Sequence, residues 1–131
     1  FAVDTGRARL DVYDRVEGVR PALRPGRLLV DFAGEAGRPD GIALDADSGV
    51  WVAMWGGGEV RRYASDGDLD AVIRVPVTYP TSVAFGGADL ATLFVTTSRI
   101  HLAPDAVEPL AGHVLAYESG AHGIPLPAFA G

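Results

Sequence analysis

Apolar residues recur along this chain with the period of strands rather than helices. In "VWVAMW" (50–55), Trp51, Ala53 and Trp55 point one way while Val50, Val52 and Met54 point the other, and all six are apolar. A short run that is apolar on both faces predicts an interior strand buried between two layers. "GEVRRYAS" follows after a glycine turn, then "DGD", then "LDAVIRVPV". Strands of about four to seven residues, broken by turns this often, predict an all-β sandwich, barrel or propeller. The one helix candidate, "APDAVEPLAG" (103–112), is cut by Pro109 and reads as a loop or a single turn.

Comparing the chain with itself narrows the choice. "FAVDTGRARLDVY" (1–13) lies on "WVAMWGGGEVRRY" (51–63) without a gap. Each has an aromatic, an apolar strand, a glycine at its sixth position and a second strand closing on tyrosine. "PDGIAL" (39–44) lies on "PTSVAF" (80–85), and "LFVTTSR" (93–99) with "GHVLAYESG" (112–120) repeats the two-strand pattern around the insertion "IHLAPDAVEPLA". Repeats about 40 to 50 residues apart, with four short strands each, predict the blades of a β-propeller. One unit, from about Pro39 to Pro76, has all four strands. The unit before it starts in mid-strand at Phe1, and the last trails into "GIPLPAFAG" after three. A propeller generally closes with at least four blades. Two to three blades therefore predict that residues 1–131 are the C-terminal part of a larger single propeller domain, its N-terminal blades absent. Its open edge strands would be free to pair with another chain or with those blades.

Composition adds exclusions. The chain has 131 residues, long enough for one domain with a sizeable core, and its 17 glycines and 9 prolines are spread throughout, as many turns require. A net charge of -6 gives no electrostatic reason to expect nucleic acid or an anionic membrane surface. No run reaches the 18 or more apolar residues of a membrane span. Without a single cysteine there are no disulfides, thiolate metal sites or cysteine nucleophiles, and a cytoplasmic location is the expectation.

Several short stretches invite a chemical reading. In Pro39-Asp40-Gly41 an acidic residue sits between a fixed φ and a free one, at the start of a strand. Its carboxylate could ligate a divalent cation or take a proton from water, or it could close an Asx-type turn. "DADSG" (45–49) begins like a calcium loop, but the sixth and twelfth positions are Val50 and Gly56, so it reads as a hairpin turn. "GGG" (56–58) lacks the Lys-Ser/Thr of a phosphate loop and also reads as a turn. Ser98, His101 and Asp105 lie in one connecting segment without a nucleophile elbow and do not make a triad. His113 and His122 read as turn or edge residues, and Trp51 as packing between blades.

Residues 39–99 resemble the SMP-30/gluconolactonase/regucalcin family in its Pro-Asp-Gly strand start, "VWVA" with a tryptophan before Gly-Gly, "PTS…FGG" and "LFVT". "FAVDT…LDVYD" and "GHVLAY…G" extend the likeness over nearly the whole chain. The resemblance implies a six-bladed propeller in the complete protein, with one divalent cation near the central channel. Ca²⁺ is the first candidate and Zn²⁺ or Mg²⁺ the alternatives. The activity it implies is hydrolysis of a sugar lactone or similar cyclic ester, a small-molecule partner. In that family a glutamate, an asparagine and the aspartate of Pro-Asp-Gly hold the metal. Only the aspartate has a counterpart here, Asp40, which the resemblance makes a metal ligand and catalytic residue. The sequence contains no asparagine, and one carboxylate does not fill a shell of six to eight oxygens. Trp55, Tyr79, Thr81 and Ser82 are the expected substrate-binding wall, since a sugar lactone needs an apolar face to stack on and hydroxyls to bond. Packing between blades is the competing role for Trp55. The competing function is a non-catalytic propeller segment that binds a partner, handles calcium or self-assembles through its open edges.

Overall fold

The computed structural model describes residues 1–16, 22–23 and 26–125, and every regular element among them is a strand. In chain order these are β1 (Ala2–Asp4), β2 (Arg9–Val12), β3 (Arg15–Val16), β4 (Ala22–Leu23), β5 (Arg27–Asp31), β6 (Arg38–Leu44), β7 (Val50–Trp55), β8 (Glu59–Tyr63), β9 (Leu69–Arg74), β10 (Pro80–Gly86), β11 (Thr92–Thr97) and β12 (Val114–Glu118). They form three antiparallel sheets of blade type, ordered β1-β2-β5, β6-β7-β8-β9 and β10-β11-β12. The central one is the four-stranded unit expected from Pro39 onward. The β3–β4 hairpin, inserted between β2 and β5, was not legible in the sequence. "GIPLPAFAG" falls largely outside the described residues. Among the described residues no helix is long and apolar enough to cross a membrane.

The sheets stack through β7. Val50, Val52 and Met54 pack with Leu10, Phe32 and Tyr63 against the first sheet, while Trp51 and Ala53 pack with Val83, Leu93 and Val95 of the third. All five of these β7 side chains are buried. Burying an aliphatic side chain of this size is worth about 1.5–3 kcal/mol, so the two-faced apolar run is what holds three sheets in one body. The ring of Trp51 meets Phe85 of the next sheet edge-on, with centroids 5.9 Å apart. That is the packing role expected of it.

The repeat extends to backbone detail. Ala8 (φ 52°) and Gly58 (φ 65°) both close their hairpin turns in the left-handed region. Their carbonyls accept from the amides of Phe32 (2.9 Å) and Val75 (3.0 Å) respectively. A second shared feature bears on function. β6 pairs Pro39 with Met54 and Ile42 with Val52, so it carries one extra residue, and β10 does the same between Pro80 and Ser82. Asp40 and Thr81 thus sit in equivalent β-bulges, devices that re-aim a side chain out of the pleat.

At the opposite end of the central sheet, "DADSG" is the turn between β6 and β7. Asp45, its side chain fully buried, accepts from the amides of Asp47 (3.0 Å) and Gly49 (2.7 Å), from Trp51 Nε1 (2.8 Å) and from Arg62 Nε (2.7 Å). Burial pushes this carboxyl up, but hydrogen bonds from Arg62, Trp51 and Gly49 outweigh it and hold the group below the usual aspartate range. The turn also captures the C-terminal segment, since Ala46 N donates to His122 O (2.8 Å).

Candidate functional site

The edge strands β6 and β10 lie side by side, and their bulges meet. Gly41 packs on Ser82, its own counterpart one blade along. A Cβ on Gly41 would fall 2.6 Å from Ser82 Cα, closer than such atoms approach. The absence of a side chain at position 41 therefore brings Asp40 beside Thr81 and Ser82. Arg38 ties the start of β6 to the preceding blade, donating to the carbonyls of Thr5 (3.4 Å) and Gly6 (3.3 Å).

Asp40 is half-buried, and its carboxylate has no hydrogen-bond or ion-pair partner among the described residues. Burial alone pushes its pKa up. It is a carboxylate removed from part of its water and given no cation in exchange by the described residues. Among the described residues no three His, Asp or Glu side chains converge where a metal ion could sit. Asp40 suits a divalent cation as one oxygen ligand and does not form a complete shell. Thr81 Oγ1 is bound to Thr96 Oγ1 at 2.8 Å, an exposed hydroxyl pair at the same level of the next blade.

Trp55 pairs with Arg38 across the β6–β7 ladder, so it lies at the Asp40 end of the sheet. The glycine turn after it fits against the lead-in to β6. A Cβ on Gly57 would meet Ala36 O at 2.6 Å, and one on Gly37 (φ 92°) would meet Gly57 Cα at 2.8 Å. Trp55 and Tyr79 stack at a tilt with centroids 5.0 Å apart. His101 joins them, edge-on to Trp55 at 5.0 Å and 5.9 Å from Tyr79. The structure thus gathers Asp40, Thr81 and Ser82 at the meeting bulges, and Trp55 and Tyr79 beside them in the seam between blades.

His101 is the member that sequence reasoning passed over. No hydrogen bond joins Ser98, His101 and Asp105 among the described residues. Ser98 instead caps its own turn, accepting from Ile100 N (3.2 Å), while its amide donates to Tyr79 O (2.9 Å). A cleft of about 270 Å³ opens elsewhere, at the Asp45 end, and is lined by Asp47, Trp51, Arg62 and Asp70 among others. Its arginine is already paired with two aspartates.

The model of the SMP-30/Gluconolactonase/LRE-like region matches residues 1–99. The chain belongs to that family. Across 98% of its length it is 40% identical to a 6-deoxy-6-sulfogluconolactonase of Pseudomonas putida, of which it spans 44%. It is 37% identical to an L-arabinolactonase of Azospirillum brasilense over 88% of this chain and 36% of that one. In three dimensions 98% of it superposes on 44% of regucalcin from Agrobacterium tumefaciens, described as a calcium-binding protein, with a TM-score of 0.84 and 30% identity. In the SMP-30/gluconolactonase family these three sheets are propeller blades, among the described residues one of four strands and two of three. The chain spans less than half the length of these relatives.

Proposed function

We propose that this chain is the C-terminal portion of one propeller domain that hydrolyses a sugar lactone with the help of a divalent cation, Ca²⁺ first, with Asp40 as one ligand. The observation that carries the reading is the half-buried carboxylate of Asp40, without a partner among the described residues and aimed by a bulge that the neighbouring blade fills with threonine. Lactonases 37–40% identical to the chain support the reaction class.

In the reaction water adds to the lactone carbonyl carbon, the ring C–O bond breaks, and the ring oxygen leaves as a hydroxyl of the product acid. A cation bound there supplies polarisation of the carbonyl and stabilisation of the oxyanion. Asp40 would hold such a cation as one oxygen ligand, and its carboxylate orients the attacking water by accepting a hydrogen bond. A carboxylate engaged by a cation is a weaker base, so orientation is its main contribution and proton acceptance the lesser one. Trp55 and Tyr79 offer apolar faces to the sugar ring, and the hydroxyls of Thr81 and Ser82 offer hydrogen bonds to its rim.

The test is Asp40→Asn in the complete Ca²⁺-loaded protein. We expect kcat/KM for an aldonolactone to fall by about 10²–10⁴-fold, with the urea midpoint kept. Full turnover at unchanged metal content would sink the assignment.

A further inference from the structure

The third blade departs from the central one in the connection between its second and third strands. Between β7 and β8 lie three residues, 56–58, whereas residues 98–113 separate β11 from β12. Both connections lie at the Asp40 end of their sheets. Loops beyond about 12–15 residues without regular structure are uncommon in compact domains, and many are binding loops.

This loop is pinned rather than loose. Glu108 receives the amide of Thr78 at 2.8 Å and the Thr78 hydroxyl, so one carboxylate fastens the loop to the connector that carries Tyr79. Thr97 Oγ1 donates to His113 O (2.7 Å) and accepts from Gly112 N (2.9 Å), closing the loop's far end. What the pinned loop delivers is His101, which is exposed, stands edge-on to Trp55 and has no hydrogen-bond partner among the described residues. An imidazole with free nitrogens beside two half-buried aromatic faces matches a polyhydroxylated ring, with the apolar face on carbon and the hydroxyls on nitrogen.

We infer that His101 is a substrate-contacting, specificity-determining residue: with Trp55 and Tyr79 it forms a recess for the hydroxylated ring of a lactone, and Glu108 is the positioning residue that holds it there. The inference rests on the lactonase reading and adds to it the part of the substrate that is recognised. It predicts discrimination by hydroxyl groups rather than by the ester.

The experiment compares D-glucono-1,5-lactone with δ-valerolactone, the same ring without hydroxyls, in the complete Ca²⁺-loaded protein. His101→Ala should raise KM for the gluconolactone about tenfold or more with kcat within about twofold, and should raise KM for valerolactone by a clearly smaller factor. Glu108→Ala should shift KM in the same direction, and Glu108→Gln, which keeps an acceptor for Thr78, should restore much of the loss. A second measurement does not depend on turnover. Trp51 is 1% exposed, which leaves Trp55 as the accessible one of two tryptophans, so its emission should report binding of glucono-1,5-lactam, and His101→Ala should weaken that binding by the same factor. Active wild-type protein whose KM and lactam affinity are untouched by His101→Ala would overturn the inference alone. Wild-type protein that neither hydrolyses the lactones nor binds the lactam would overturn the lactonase reading and this inference with it.

Discussion

Gly41 and Ser82, equivalent residues of adjacent inner strands, touch backbone to side chain with no room for a methyl group between them. Gly41→Ala should therefore force the two strands apart, at about 1–3 kcal/mol for overpacking. Ser82→Gly in the same protein should recover part of that loss. Urea midpoints of the two single variants and the double variant measure the coupling, and strictly additive values would show that the contact does not limit the spacing.

Asp45 makes stability depend on pH at the other end of the blade. Its folded pKa lies below the unfolded value of about 3.9, so the folded state binds the fewer protons. The stabilisation is complete above the ordinary carboxylate range and is lost as pH falls through the depressed folded value. Asp45→Asn should flatten that acid limb and cost about 3–5 kcal/mol near neutrality, because it leaves Arg62 without its buried partner. Denaturation curves between pH 3 and 7 decide it.

The two tryptophans should separate by phenotype. Trp51 is buried, packed on Phe85 and bonded to Asp45, so Trp51→Ala should cost about 3–5 kcal/mol. Trp55 is half-buried at the Asp40 end of the sheet, and Trp55→Ala should cost less than half as much while raising KM for an aldonolactone. Equal losses of stability would return Trp55 to a purely structural role.

Cation binding should register as stability as well as rate. Ca²⁺ at about a hundred times its dissociation constant adds about 2.7 kcal/mol to a fold that binds it only when folded. Chelation should remove both that increment and the hydrolysis, and Asp40→Ala should show neither response to added Ca²⁺. A calcium-dependent shift in Tm that survives Asp40→Ala would place the cation elsewhere.

The blades were legible because β7 writes its two partners into alternate residues and because Gly6 and Gly56 mark the same turn. The bulges were not, since an extra residue in one strand of a pair leaves no trace in either strand read alone. Asp45 was legible as a turn residue. Its clasp on Trp51 and Arg62, six and seventeen residues away, depends on a hairpin closing first. His101 carries a signal in the sequence apart from the triad it does not form. The insertion "IHLAPDAVEPLA" occupies the repeat position of the glycine turn that follows Trp55, and so belongs at the same end as Pro-Asp-Gly.

The paired bulges at Asp40 and Thr81 have a consequence for how such a protein changes. The second and third blades offer the same kinked seat, and the backbone there is set by the proline before it and the tight packing after it, not by the group it displays. Carboxylate and hydroxyl are interchangeable fittings on one socket. A single codon change can install or retire a functional group at the bulge without rebuilding the sheet behind it, which separates the history of the chemistry from the history of the fold.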